Sequence, residues 1–179
     1  MNTDVLIVGA GPTGLALGTV LARAGVTPVI LEKLATGQNT SRAAVIHAHT
    51  LEMLEPLGVC ERLVSEGLKL DTFSIRDRDR VLVRMGFAAL PTRYAYLLML
   101  QQNVTEKILL EGLTQAGGSV QWGCAVEELV DTKDGVRATV VRGDVRQTIQ
   151  ARYVVGADGM RSLVRETAGI GFTGASYEE

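Results

Sequence analysis

Near its start the chain reads Asp4-Val5-Leu6-Ile7-Val8-Gly9-Ala10-Gly11-Pro12-Thr13-Gly14. The apolar run suits a buried parallel strand, and the glycines interrupt it where the chain turns into a helix. Gly9 permits the tight turn, Gly11 lets the backbone approach a pyrophosphate without an intervening Cβ, and Gly14 lets the helix pack closely on the strand. A helix N-terminus beside that turn offers unpaired N–H groups and a partial positive charge to phosphates. A second apolar run, Thr27 to Leu31, is closed by Glu32, placed to accept hydrogen bonds from ribose hydroxyls. Strand, glycine turn, helix and acid in this order point to dinucleotide binding. A plain glycine-rich turn with a surface glutamate is the simpler alternative, and the register of the acid weighs against it. A secretory leader would also be apolar over residues 5–22. Here Asp4 precedes the run, no Lys or Arg stands before it, and two glycines break its first third.

The chain's 179 residues suit one domain, or one domain with part of another. A hydrophobic fraction of 46% is enough for a core, and 21% charged residues is ordinary for a globular protein. A net charge of −2 gives no electrostatic case for nucleic acid or an anionic membrane. Aromatic residues at 4% supply no stacking platform for single strands. The glycine-broken opening leaves no uninterrupted apolar window of the length a membrane span needs. Cys60 and Cys124 are too few and too separated for a disulfide framework or a zinc site. They read as buried small hydrophobes in a reducing compartment, with the cytoplasm as the default location.

Along the chain, residues 3–32 read as strand–helix–strand, with Gly25 as the helix stop. Residues 33–41 are polar and form a surface loop. Thr50 is placed to cap a helix carrying Leu51, Met53, Leu54 and Leu57, which Gly58 ends, and a short helix covers 61–65. His47 and His49 read as helix-entry and surface residues. Over 70–87 the alternation of Phe73, Ile75, Val81, Val83 and Met85 predicts an antiparallel hairpin with one buried face. Its charged tip, Arg76 to Arg80, reads as a solvated turn. Tyr96 to Leu100 suits a buried strand. Asn103 and Glu106 have the spacing of a capping box for a helix that Gly117-Gly118 ends. Three strands follow near 124–131, 135–142 and 145–155, then Gly156-Ala157-Asp158-Gly159 and a helix with Leu163, Val164 and Ala168.

Taken together, the glycine loop, Glu32, Arg42, Gln102 before a helix, the three-stranded crossover and Gly156 to Ser162 resemble the FAD-dependent aromatic hydroxylases. These are the single-component flavoprotein monooxygenases typified by para-hydroxybenzoate hydroxylase. The likeness is greatest to the branch acting on phenols and aromatic polyketides, and runs from about residue 3 to residue 174. It implies an α/β fold: a Rossmann-like FAD-binding domain with a parallel sheet, helices and a three-stranded antiparallel crossover. That domain would span 1–69 and 96–174, with 70–95 the first segment of a substrate-domain sheet and 175–179 the entry to a missing remainder.

The resemblance assigns roles position by position. Gly9, Gly11, Pro12, Thr13 and Gly14 would cradle the FAD pyrophosphate, and Glu32 would hold the adenosine ribose with Lys33 beside it. Arg42 would lie along the phosphates, where a guanidinium can grip two oxygens. Gln102 would contact the ribityl chain, Val126 the adenine through its backbone, and Asp158 with Gly159 the phosphate region and the path of NADPH or NADH. On the residues alone, Arg42 reads as a surface arginine, Gln102 as a helix-start residue and Asp158-Gly159 as a plain turn. His49 departs from the family, which often has arginine there.

The implied reaction uses FAD, NAD(P)H and O₂, passes through a flavin C4a-hydroperoxide and hydroxylates an aromatic or phenolic small molecule. No acid or base is assigned; the phenol-binding groups would lie mostly beyond Glu179, with Arg84, Arg93 and Tyr94 as candidate contributors from this stretch. An FAD-linked reductase or halogenase would share the same motifs, and so would a truncated, non-catalytic FAD-binding module. The partners implied are a small aromatic substrate and either a second copy in a homodimer or a missing C-terminal half.

Overall fold

The computed structural model describes residues 1–37 and 45–174. Its centre is a six-stranded sheet built from β1 (Asn2–Val8), β2 (Val29–Glu32), β8 (Val120–Trp122), β9 (Ala125–Thr132), β10 (Gly135–Arg142) and β11 (Val145–Gly156). The order across it is β8-β2-β1-β11-β10-β9. The first four strands are mutually parallel, and β9, β10 and β11 form an antiparallel meander. The α/β architecture with its crossover is therefore the one the sequence implies.

The 12-residue β11 links the two halves. Val145 to Ala151 pair antiparallel with β10, while Gln150 to Gly156 pair parallel with β1. Alternation along β1 then sorts the core. Ile7 faces a helical layer made by α1 (Pro12–Arg23), α2 (Ala48–Leu54), α3 (Cys60–Glu66) and α4 (Gln102–Gln115), where Leu15, Ile30, Leu51, Leu63, Leu98, Ile108, Leu109 and Leu113 are buried. Leu6 and Val8 face the other way, onto Leu129, Ala138, Val140, Ile149 and Ala151 of the meander. Each fully buried Leu or Ile is worth about 1.5–3 kcal/mol of burial free energy, so the two faces of this sheet carry the hydrophobic core.

Two smaller sheets lie outside it. One has the order β3 (Val45–Ile46), β7 (Leu97–Met99), β4 (Leu68–Leu70), and the other is the hairpin of β5 (Thr72–Asp77) and β6 (Arg80–Gly86). The last helix, α5 (Leu163–Thr167), follows β11.

Several local expectations are corrected. The hairpin forms, with Phe73 opposite Met85 and Ile75 opposite Val83, but every residue of both strands is exposed. A two-stranded ribbon buries a face only against another layer, and among the described residues none covers it. Thr50 is not a cap: α2 starts two residues earlier, behind His47, and a 3₁₀ turn over Glu55–Leu57 separates it from Gly58. The capping box at Asn103 and Glu106 does not form. Gln101 is the N-cap of α4 without a side-chain bond, and Glu106 instead accepts from Gln102 Nε2 at 2.8 Å. The strand β8 and the short β3 and β4 have no counterpart in the sequence reading. Of the surface loop expected over 33–41, residues 38–41 lie outside the described residues.

Candidate active site and cofactor cleft

The parallel strands end at one level. Val8 is in register with both Leu31 and Gly156, so the loops after β1, β2 and β11 leave the sheet side by side. Ligands of open α/β sheets bind at this carboxyl edge. A cleft of about 570 Å³ opens there, within the range of small-molecule sites.

The floor of the cleft is the loop after β1. Gly9 has φ +103, and a Cβ on it would lie 2.3 Å from Ala157 O. The loop is thus pressed against the segment following β11, where Ala157 N–H donates to Val8 O at 2.8 Å. A Cβ on Gly14 would stand 2.0 Å from Gly9 O, so the first turn of α1 can sit on this loop only as glycine. Gly11 differs: among the described residues nothing lies within 4 Å of its would-be Cβ. It is the N-cap of α1, with Pro12 after it and no side-chain cap. The first N–H groups of a 12-residue helix therefore meet the cleft without a capping side chain, an arrangement that suits an anion.

Glu32 forms the next wall. Its Oε2 accepts from Ala10 N–H at 2.9 Å, and its Oε1 from Leu34 N–H at 3.0 Å. One carboxylate thus ties the glycine loop to the chain leaving β2. An ionised carboxylate has about four acceptor sites, so two amide bonds orient it and leave capacity for two hydroxyls. Cys124 N–H donates to Glu32 O at 2.8 Å and Gly123 N–H to Leu34 O at 2.9 Å, bringing the start of β9 onto the same wall.

On the far side, Asp158 is held from two directions. Ser162 Oγ–H donates to its Oδ1 at 2.6 Å and Val164 N–H to its Oδ2 at 3.3 Å. Ser162 caps α5 by accepting from Arg165 N–H at 3.0 Å. The carboxylate side chain of Asp158 therefore anchors its loop to α5.

Gly9, Gly11, Pro12, Thr13, Glu32, Lys33, Gln102, Val126, Asp158 and Gly159 all line this one cleft, with Gly14 beneath it in α1. Arg42 lies outside the described residues. Glu106, Cys124, Met160 and Arg161, which the sequence reading gave no cofactor role of their own, also line the cleft, as does Trp122, which it did not single out. Trp122 ends the three-residue β8, a stretch too short to show a strand period in the sequence. Two residues considered for a phenol site sit elsewhere. Tyr94 is buried in the helical core beside Cys60, and Arg93 pairs with Glu55. Burial foremost, with the neighbouring Cys60 thiol next, pushes the Tyr94 phenol up to about 12. Arg84 is exposed on β6. Among the described residues no group of His, Cys, Asp and Glu is placed to hold a metal, and no helix is long and apolar enough to cross a membrane.

Comparison with known proteins bears on this geometry. The chain is 38% identical over 183 residues to pentachlorophenol 4-monooxygenase of Sphingobium chlorophenolicum, covering 99% of this chain and 34% of that protein. It is 37% identical over 173 residues to 6-methylpretetramide 4-monooxygenase of Streptomyces rimosus, covering 96% and 31%. The chain thus spans about a third of the length of these relatives. Among solved structures, p-nitrophenol 4-monooxygenase PnpA from Pseudomonas putida DLL-E4 superposes with a TM-score of 0.92 at 28% identity, over 98% of this chain and 46% of that one. A ternary complex of aklavinone-11 hydroxylase with FAD and aklavinone gives 0.80 at 32% identity, over 93% and 35%. The FAD binding domain family matches residues 2–178, and the chain belongs to that family.

Proposed function

We propose that this chain is the FAD-binding portion of a flavin-dependent monooxygenase that hydroxylates an aromatic small molecule at the expense of NAD(P)H and O₂. One observation carries the reading. The uncapped start of α1, the clamped carboxylate of Glu32 and the Asp158-Gly159 loop converge on a single cleft at the carboxyl edge of the sheet. The open space at Gly11 and the anion-ready helix start fit the diphosphate of FAD, and the acceptor capacity of Glu32 fits a ribose. Bound FAD would supply the oxygen-activating chemistry.

The chain's own contribution is positioning. Gly11, Pro12 and Thr13 hold the phosphates, and Glu32 orients the adenosine end. Gln102, at the start of α4, bonds along the ribityl chain. Asp158, fixed by Ser162 and the Val164 amide, keeps the Gly159 loop at the cleft mouth. Residues 1–69 and 96–174 make up the cofactor domain, and 70–95 open the sheet that covers the substrate. The exposed apolar faces of Phe73, Ile75, Val83 and Met85 support that role. The relatives named for pentachlorophenol and 6-methylpretetramide support an aromatic small molecule as substrate.

The test is made on the full-length protein purified with FAD. Stoichiometric flavin, NAD(P)H consumption stimulated by substituted phenols, and one labelled oxygen from ¹⁸O₂ in the product are expected. Failure to bind FAD refutes the reading. Ring saturation or halide transfer in place of oxygen insertion assigns the same cleft to a reductase or a halogenase.

A further inference from the structure

We propose that Trp122 forms the wall of the adenine subsite, its indole contacting the base of FAD. The inference rests on the FAD reading above and adds a residue to it. The order of strands across the sheet is β1, β2, β8. The glycine turn after β1 is suited to the diphosphate, and Glu32 at the end of β2 to the ribose. A base attached to that ribose on the side away from the diphosphate would reach the next strand out, which is β8. Its last residue is Trp122, in direct register with Glu32. Register partners on neighbouring parallel strands present their side chains to the same face, so the indole and the carboxylate are neighbours at the cleft edge. The preceding pair, Val120 and Ile30, follows the same rule and both belong to the helix-side core.

Trp122 is half-buried, packing against that core while also lining the cleft. Among the described residues lining the cleft it is the only aromatic one. The neighbours on that wall, Cys124, Ala125 and Val126, offer small apolar surfaces but no π-face. A flat, partly anchored ring beside a ribose-binding carboxylate is the chemistry that recognises a purine by its face. Aromatic–base contacts of this kind change affinity about 5- to 100-fold when the ring is removed.

Trp122 is the sole tryptophan of these 179 residues, and the test is made on the full-length protein. Apoprotein is titrated with ADP, which carries the adenosine but no flavin to quench by energy transfer. The indole signal is taken as the difference between the native protein and Trp122→Phe. A saturable change on ADP addition is expected. Trp122→Ala should weaken FAD and ADP in parallel by about 5- to 100-fold, Trp122→Phe should restore most of that, and FMN, which lacks adenosine, should bind all three proteins alike. A silent indole with ADP bound, or loss of FMN together with FAD in Trp122→Ala, overturns the proposal and leaves Trp122 a core residue. Should Trp122→Ala not fold, the ADP titration and Trp122→Phe decide. If the native protein retains no FAD at all, the underlying reading fails first, a result distinct from FAD bound with Trp122 indifferent.

Discussion

Replacing Glu32 with glutamine separates the two jobs of that carboxylate. Each of its oxygens accepts one backbone N–H, from Ala10 at 2.9 Å and from Leu34 at 3.0 Å. A glutamine of the same shape keeps one carbonyl oxygen, and its NH₂ must then face the other amide, donor against donor. One of the two bonds is lost and the survivor is no longer charge-assisted. Hydrogen bonds to charged groups contribute about 1.5–3 kcal/mol, and the partial exposure of Glu32 brings the net loss to about 1–2 kcal/mol. At roughly 2–4 °C per kcal/mol for a chain of this size, Tm of the apoprotein should fall by about 2–8 °C. The ribose loses an acceptor as well, so FAD should bind about 10- to 100-fold more weakly. Calorimetry of the apoprotein and flavin-fluorescence titration measure the two effects separately. An unchanged Tm would refute the claim that Glu32 ties the glycine loop to the end of β2. An unchanged FAD affinity with a lowered Tm would confine Glu32 to that structural role.

Three other outcomes are expected. Gly9→Ala puts a methyl 2.3 Å from Ala157 O at a φ of +103 and should cost about 3 kcal/mol in urea unfolding. Gly11→Ala, with open space and a φ of −71, should unfold like the native protein while losing FAD affinity, and equal destabilisation of the pair would contradict the packing described. Ser162→Ala removes the α5 cap and a bond to Asp158, so a loss of about 1 kcal/mol is expected with a weakened cofactor complex, and a stability equal to the native protein's would count against it. The Tyr94 phenol is pushed up to about 12 from 10.0, chiefly by burial, so the fold favours its neutral form. That contribution is intact below pH 10 and is lost as the pH climbs toward 12. Tyr94→Phe should therefore delay alkaline unfolding, followed by circular dichroism, and an unaltered profile would show that Tyr94 does not drive it.

Much of the site was legible because its elements are local. The turn from β1 into α1 is written in consecutive residues, and Glu32 closes the next apolar run, so strand, turn, helix and acid could be read directly. The same holds for β9, β10 and β11, whose hairpin turns at Lys133-Asp134 and Gly143-Asp144 carry their own signals. What failed were choices among competing local partners. Asn103 and Glu106 have the spacing of a capping box, yet Glu106 binds Gln102, and Asn103 Oδ1 is buried without a partner among the described residues. The three-residue β8 is too short to show a period, and it exists because it completes the sheet beside β2. The alternation of β5 and β6 predicted the strands correctly but could not say what, if anything, covers their apolar side.

By itself, then, the sequence determined the dinucleotide-binding turn, its acid and the succession of strands and helices, since these depend on neighbouring residues and backbone preference. Only the tertiary structure decided that Ala157 presses on Gly9 across the sheet, that Glu32 spends both oxygens on two backbone amides, and that Trp122 stands beside Glu32 at the cleft. Those contacts join residues far apart in the chain. Their partners are set by strand order and register, which arise from burying both faces of one sheet at once and are written in no single stretch of sequence.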